Sequence, residues 1–334
     1  MNLTTLTLIG AAVALSTNTA MAQQNHRHHN NHTYAPSEIM GTHSHSKGEW
    51  MLSYKYMSMK MDGMLQGTNN IDKSTVYGAG YMVSPLEMET KMHMLSAMYG
   101  ISGNFTFMAM LPYTKKSMDL RTMSGTTFTT KTEGFGDIKL SVIDNLSRFN
   151  LKNWSISYGL SLPTGAIDKT GNTPAANNAR LGYPMQLGSG TFDLKPAIIY
   201  KNSHENIEYG LQAFANIRTG DNTENYRLGN QFGLNLWAGK KITPSFSAGL
   251  SLKTIHESEI HGKDVNLNAN MVTTNDTNNS GYEKAILGVD LFYKPAQFKG
   301  LEFITSYKEP IYQDVNGFQM DADKVFTLTI RKTF

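Results

Sequence analysis

At 334 residues, 40% hydrophobic and only 17% charged, the chain has no run of about 18 apolar residues beyond its N-terminus, which excludes a helical membrane protein. A net charge of +3 without any basic block leaves nucleic acid nothing to grip. The absence of cysteine removes thiolate metal sites and cysteine nucleophiles, and it suits a protein that meets an oxidising periplasm.

Residues 1–22 read as a Sec signal peptide, because Leu3 to Leu15 is mostly apolar and Ala20-Met21-Ala22 fits the small-x-small cleavage rule. Residues 23–48 are polar, carry His26, His28, His29, His32, His43 and His45, and show no apolar period. They are expected to form a disordered periplasmic tail. From Glu49 onward the apolar period is two. Trp154, Ile156, Tyr158, Leu160 and Leu162 alternate with small polar residues, as do Phe246, Ala248, Leu250 and Leu252. Strands are expected at 49–62, 88–101, 105–118, 131–147, 153–166, 190–201, 206–219, 226–241, 245–258, 282–295, 300–313 and 323–334.

The connections alternate in length. Those at 102–104, 148–152, 202–205, 242–244 and 296–299 are short, and those at 63–87, 167–189 and 259–281 are long. Short periplasmic turns alternating with longer extracellular loops mark outer-membrane barrels, and a soluble sandwich has no reason to obey that rule. The expected fold is therefore all-β: a single antiparallel transmembrane β-barrel of twelve strands over 49–334, set in outer-membrane lipid of a Gram-negative bacterium. Trp50, Tyr54, Tyr56, Tyr113, Trp154, Tyr158 and Tyr293 are candidates for the interfacial aromatic belts. Phe326, Leu328, Ile330 and the terminal Phe334 share one face. This end resembles the signal that the barrel-assembly machinery reads, which makes that machinery an expected partner.

Three segments carry a family resemblance. Gly134-Phe135-Gly136-Asp137-Ile138-Lys139-Leu140, Leu162-Pro163-Thr164-Gly165 and Tyr183-Pro184-Met185-Gln186-Leu187-Gly188-Ser189-Gly190-Thr191 resemble bacterial outer-membrane transporters related to the MetA-type barrels of phenol-degradation operons. The opening Lys47-Gly48-Glu49-Trp50-Met51-Leu52-Ser53-Tyr54 is similar to a Met-rich branch linked to heavy-metal contexts. The resemblance implies a barrel and leaves its cargo open, because the matching motifs are turns and strand ends.

Methionine is the chemical anomaly, with 20 in all. Alternation turns Trp50, Leu52, Tyr54 and Tyr56 to lipid, so Met51, Met57, Met59 and Met61 face the lumen. The same argument turns Met92, Met94 and Met98, then Met108 and Met110, inward. One reading is packing, since flexible Met fills gaps in a narrow barrel. The other is a soft-ligand track, since thioethers select Cu(I) over hard cations. The histidines at 26, 28, 29, 32, 43 and 45 add imidazoles that suit copper, zinc or nickel. The sequence thus favours a porin-like barrel for a small solute, with soft metal ions (copper first, as Cu(I) or Cu(II) cargo) ahead of apolar or aromatic molecules. No cofactor is required and no enzyme is expected. The phospholipase-like alternative rests on His256 and Ser258 alone, two apart on a strand.

Overall fold

The computed structural model describes residues 34–39 and 41–334. The expected signal peptide and His26, His28, His29 and His32 lie outside the described residues. The barrel wall consists of β1 (Trp50–Gly67), β2 (Val83–Gly100), β3 (Phe105–Thr122), β4 (Thr127–Phe135), β5 (Ile138–Asn145), β6 (Trp154–Leu162), β7 (Asp193–His204), β8 (Ile207–Arg218), β9 (Gln231–Lys241), β10 (Phe246–Glu257), β11 (Tyr282–Tyr293) and β12 (Leu301–Thr333). Successive strands pair antiparallel, except that β4 pairs only with β3, which also pairs with β5, and β12 returns to β1 from Met51↔Thr333 upward, which closes the ring. Closure pairs both edges of the wall strands apart from β4, which among the described residues has β3 as its only strand partner.

Lipid explains the outer face. Leu52, Leu95, Leu234, Leu236, Leu250 and Leu291 all stand exposed on it, with Leu95 and Leu250 each 60% accessible. Moving one such side chain from water to hydrocarbon gains roughly 1.5–3 kcal/mol, so this surface would not persist in water. Aromatic pairs ring one end of the band: Trp50 with Tyr99 at 4.7 Å, Trp154 with Tyr200 at 5.0 Å, and Tyr293 with Phe303 at 6.2 Å. Farther along β1–β4 the outward residues become charged and pair across strands, Lys60 with Glu87 at 3.6 Å and Lys115 with Glu133 at 3.0 Å. Those ends therefore stand above the hydrocarbon. This fits the 18-residue length of β1, β2 and β3, since about 9–11 residues suffice to span it.

Two expected strands differ from the structure. The single strand anticipated over 131–147 is interrupted at Gly136-Asp137, giving β4 beside the second half of β3 and β5 beside its first half. The last two anticipated strands form one continuous run, β12. Its first part pairs β11 from Phe303 to Val315, and its remainder pairs β1 from Val315 to Thr333.

The connections at 101–104, 146–153, 205–206, 242–245 and 294–300 lie at one end of the barrel. The opposite end carries the longer segments 68–82, 163–192, 219–230 and 258–281. These fold over the mouth. Val76 from the first, Leu181 and Met185 from the second and Val272 from the last pack with Met64, Met88, Met118 and Met320 of the wall.

Candidate functional site

Residues 34–39 and 41–48 run inside the barrel, where a disordered tail was expected. Their anchors are polar groups of the lumen wall. Tyr34 N–H donates to Glu208 Oε1 at 2.9 Å, Lys55 Nζ donates to the Ser37 carbonyl at 2.7 Å, and Glu38 pairs with Lys308. His45 N–H donates to Thr106 Oγ1 at 2.9 Å. Ala35 and Ile39 bury against Ile199 and Trp237, and the Tyr34 ring meets Phe292 edge-on at 5.9 Å. Two wall glycines make the close approach possible. A Cβ on Gly239 would lie 2.3 Å from that of Tyr34, and one on Gly100 would lie 1.9 Å from the Ser46 carbonyl oxygen.

The opposite boundary is built from the three family motifs. Asp137, at the break between β4 and β5, points inward and accepts hydrogen bonds from Gly165 N–H at 2.9 Å, Ser189 N–H at 2.8 Å and Ser189 Oγ–H at 2.9 Å. Thr164 Oγ1 accepts from Ile138 N–H and donates to the Gly136 carbonyl. Gly165 and Gly188 touch so closely that a Cβ on Gly165 would sit 2.7 Å from the Gly188 Cα. Lys116 Nζ donates to the Pro184 and Gln186 carbonyls at 2.6 and 2.5 Å. The segment 163–192 is thereby folded into the lumen and pinned to the wall. An isolated turn would show none of this, and the sequence signal was only that the motifs occur together.

Beneath the folded-in loops, and lined by Tyr183, Gly188, Thr274 and Gly281 from them, lies a chamber of about 680 Å³. One wall, from β1, β2 and β12, presents Met59, Met61, Met88, Met92 and Met320. The facing wall, from β5, β7, β8 and β10, presents Lys139, Lys195, Arg218 and Lys253. Asp193 stands there as well, bound to Arg218 and to Thr191 Oγ–H.

The methionines lie on the lumen side of their strands. Met51, Met94, Met98, Met108 and Met110 are buried against one another and Ile143, with Met92 beside them. Met57 stands opposite Met92 across the β1–β2 ladder, and Met59 and Met61 reach the chamber. The His43 and His45 rings lie 5.1 Å apart, on the inserted segment. Burial holds both below the usual imidazole range, further lowered at His43 by Arg331, His45, Lys201 and Lys294, and opposed at His45 by Glu49. His45 Nδ1 stands 3.4 Å from Glu49 Oε1. Neutral imidazoles can ligate, but the neighbouring cations work against a metal ion. Among the described residues no three His, Asp or Glu side chains gather as a metal site. His256 is exposed on the outer face with Nδ1 3.4 Å from Glu283. Ser258 lies past the end of β10, where its N–H donates to the Asn230 carbonyl, so the two form no catalytic pair.

The same architecture occurs in a known protein. The crystal structure of an outer membrane channel from Pseudomonas putida F1 superimposes with a TM-score of 0.61 at 13% identity, covering 90% of this chain and 100% of that one. More distant likenesses extend to other barrels. The CymD monoaromatic hydrocarbon channel gives 0.43 at 9% identity over 87% and 89% of the two chains. A Pseudomonas aeruginosa FadL homologue gives 0.40 at 11% identity over 85% and 89%. No curated protein matches the sequence. The family described as the putative MetA-pathway of phenol degradation matches residues 72–277. The chain belongs to that family, as a β-barrel of the Gram-negative outer membrane.

Proposed function

We propose that this barrel is a channel for small apolar or aromatic solutes, which replaces copper as the leading reading. The observation that carries the proposal is the chamber. Its volume falls within the roughly 300–1,000 Å³ of small-molecule sites, and its thioether wall, with Phe318 and Ile286 nearby, offers a ring or short hydrocarbon a dry surface. The Pseudomonas putida barrel of the same fold is itself an outer membrane channel. In this reading β12 folds back near Gly317, where φ is +61°, so that the chain crosses the membrane twelve times. The short connections face the periplasm and the long ones the exterior. The C-terminal Phe334, whose N–H donates to the Trp50 carbonyl at 2.8 Å, is the element offered to the barrel-assembly machinery.

The methionines also support a second reading, with Cu(I) or Ag(I) as cargo. Met51 stands opposite Met98, which stands opposite Met108, and Met61 opposite Met88, which stands opposite Met118. Cross-strand thioethers at this spacing are within reach of one soft ion. One variant separates the two readings: Leu at Met51, Met61, Met88, Met98, Met108 and Met118. Leu keeps volume and apolar character, so each exchange should cost less than about 1.5 kcal/mol, while the sulfur lone pairs are lost. In intact cells, expression of the parent should speed uptake of labelled toluene, and the six-Leu variant should match it, with silver and copper tolerance unchanged. Uptake independent of the protein, together with altered silver tolerance in the variant, would give the chamber to soft metals.

A further inference from the structure

The basic wall of the chamber has no use in a channel for neutral hydrocarbons. We infer that Lys139, Lys195 and Lys253 form an anion subsite, and that the preferred solute is a small aromatic or aliphatic carboxylate whose apolar body rests on the methionine wall. The inference rests on the channel reading and sharpens its solute class.

Cations outnumber the acids free to meet them. Lys195 lies within electrostatic range of Lys139, Arg218, Asp193 and Lys253, so four cations share one region of the lumen. The acids beside them are already engaged. Asp137 accepts three hydrogen bonds from Gly165 and Ser189. Asp193 takes the Arg218 guanidinium and the hydroxyls of Ser189 and Thr191. Glu38 of the inserted segment feels Lys253 but is paired with Lys308. Glu257, farther along β10, accepts from Gln231 Nε2 at 2.6 Å. Lys139, Lys195 and Lys253 are left without an ion pair among the described residues, and only Lys253 has a ring partner, Phe214 at 5.4 Å.

Grouped like charges inside a low-dielectric wall are costly, so a barrel filled for packing alone would not place them together. They are half-buried and open to the chamber. The wall also makes room for them: a Cβ on Gly159 would lie 2.7 Å from the Lys195 carbonyl oxygen. Ammonium groups converging from β5, β7 and β10 suit one carboxylate, because charge-assisted hydrogen bonds are the strong ones. The methionines opposite fix the polarity of the bound molecule, head to the lysines and body to the thioethers. A neutral ring uses one wall only, and a cationic amine is repelled.

The test is equilibrium binding of labelled benzoate, toluene and benzylamine to the purified full-length barrel and to a Lys139→Gln, Lys195→Gln, Lys253→Gln variant, with folding checked by heat-modifiable gel mobility. Benzoate should bind the parent more tightly than toluene, and lose roughly tenfold or more in the variant as charge-assisted contacts go. Toluene should bind both alike, and benzylamine neither. Should the triple variant fail to fold, Lys195→Gln alone should weaken benzoate selectively. Equal benzoate binding by parent and variant, or benzoate no tighter than toluene, overturns the anion subsite. Benzoate binding that needs the lysines while toluene binds neither protein would leave the subsite standing and overturn the apolar-solute reading.

Discussion

Removal of residues 34–46 should convert a closed barrel into an open one. The segment fills the lumen between Trp237 and Ile199 on one side and Lys55 and Lys308 on the other, and the wall closes without it through β12 and β1. Passage of small hydrophilic solutes through reconstituted protein should rise by roughly tenfold or more once the lumen of a barrel this size is unfilled, with the barrel still folded. Acid should act in the same direction. Burial alone would raise the Glu38 carboxyl, but Lys308, Lys253 and Lys55 outweigh it and bring the pKa from 4.5 to about 2. With 35% of its side chain in lumen water, this is a local latch and no large store of stability. A carboxylate depressed in the folded state holds its partners fully above the ordinary value and lets go as pH falls through the folded one. The segment should therefore stay seated at pH 5 and loosen as pH drops from 4.5 toward about 2. Liposome swelling across that range checks both expectations. No gain on deletion would mean that the folded-in loops alone close the channel.

The second large effect belongs to Asp137. Hydrogen bonds to a charged group are worth about 1.5–3 kcal/mol each, and Asp137→Ala would strip the acceptor from Gly165 N–H, Ser189 N–H and Ser189 Oγ–H at once. The segment 163–192 should swing out of the lumen while the strands stay paired. Lys169 and Arg180, both in that segment, should become open to trypsin in the folded variant and stay resistant in the parent. Asp137→Asn keeps one acceptor and should fall between. A segment as resistant in Asp137→Ala as in the parent would mean that Lys116 and Thr132, which hold the Pro184, Met185 and Gln186 carbonyls, suffice to position it.

The barrel was legible in the sequence because alternation is a local signal. Leu52, Leu95 and Leu250 are outside and Met51, Met98 and Met108 inside, as the period of two requires. The chamber was not legible. Asp137 meets partners 28 and 52 residues away, and nothing in the local spacing of the motifs records that meeting. The inserted segment was missed for a physical reason too. Its composition is that of a disordered tail, since its order comes from Glu208, Lys55, Lys308 and Thr106 in the lumen wall and little from its own apolar content. The interruption at Gly136-Asp137 leaves a local trace, since Phe135 and Ile138 are three apart and so change phase, but a bulge within one continuous strand gives the same slip. The lysine cluster escaped because a period of two says which residues face the lumen, and not which of them share a level.

The central claim, that small apolar solutes pass through the lumen past the inserted segment, has one direct measurement. The chain has no cysteine, so a single engineered pair, Ile39→Cys with Ile199→Cys, can be joined by a short reducible thiosulfonate linker without ambiguity. Ile39 packs in the cluster that contains Ile199, so the linker fastens the segment where it already rests. Toluene uptake by cells carrying the linked protein should fall to that of cells lacking the barrel, and should return on reduction, with neither single-cysteine protein affected by the reagent. Uptake that continues unchanged with the segment fastened would contradict passage through the lumen.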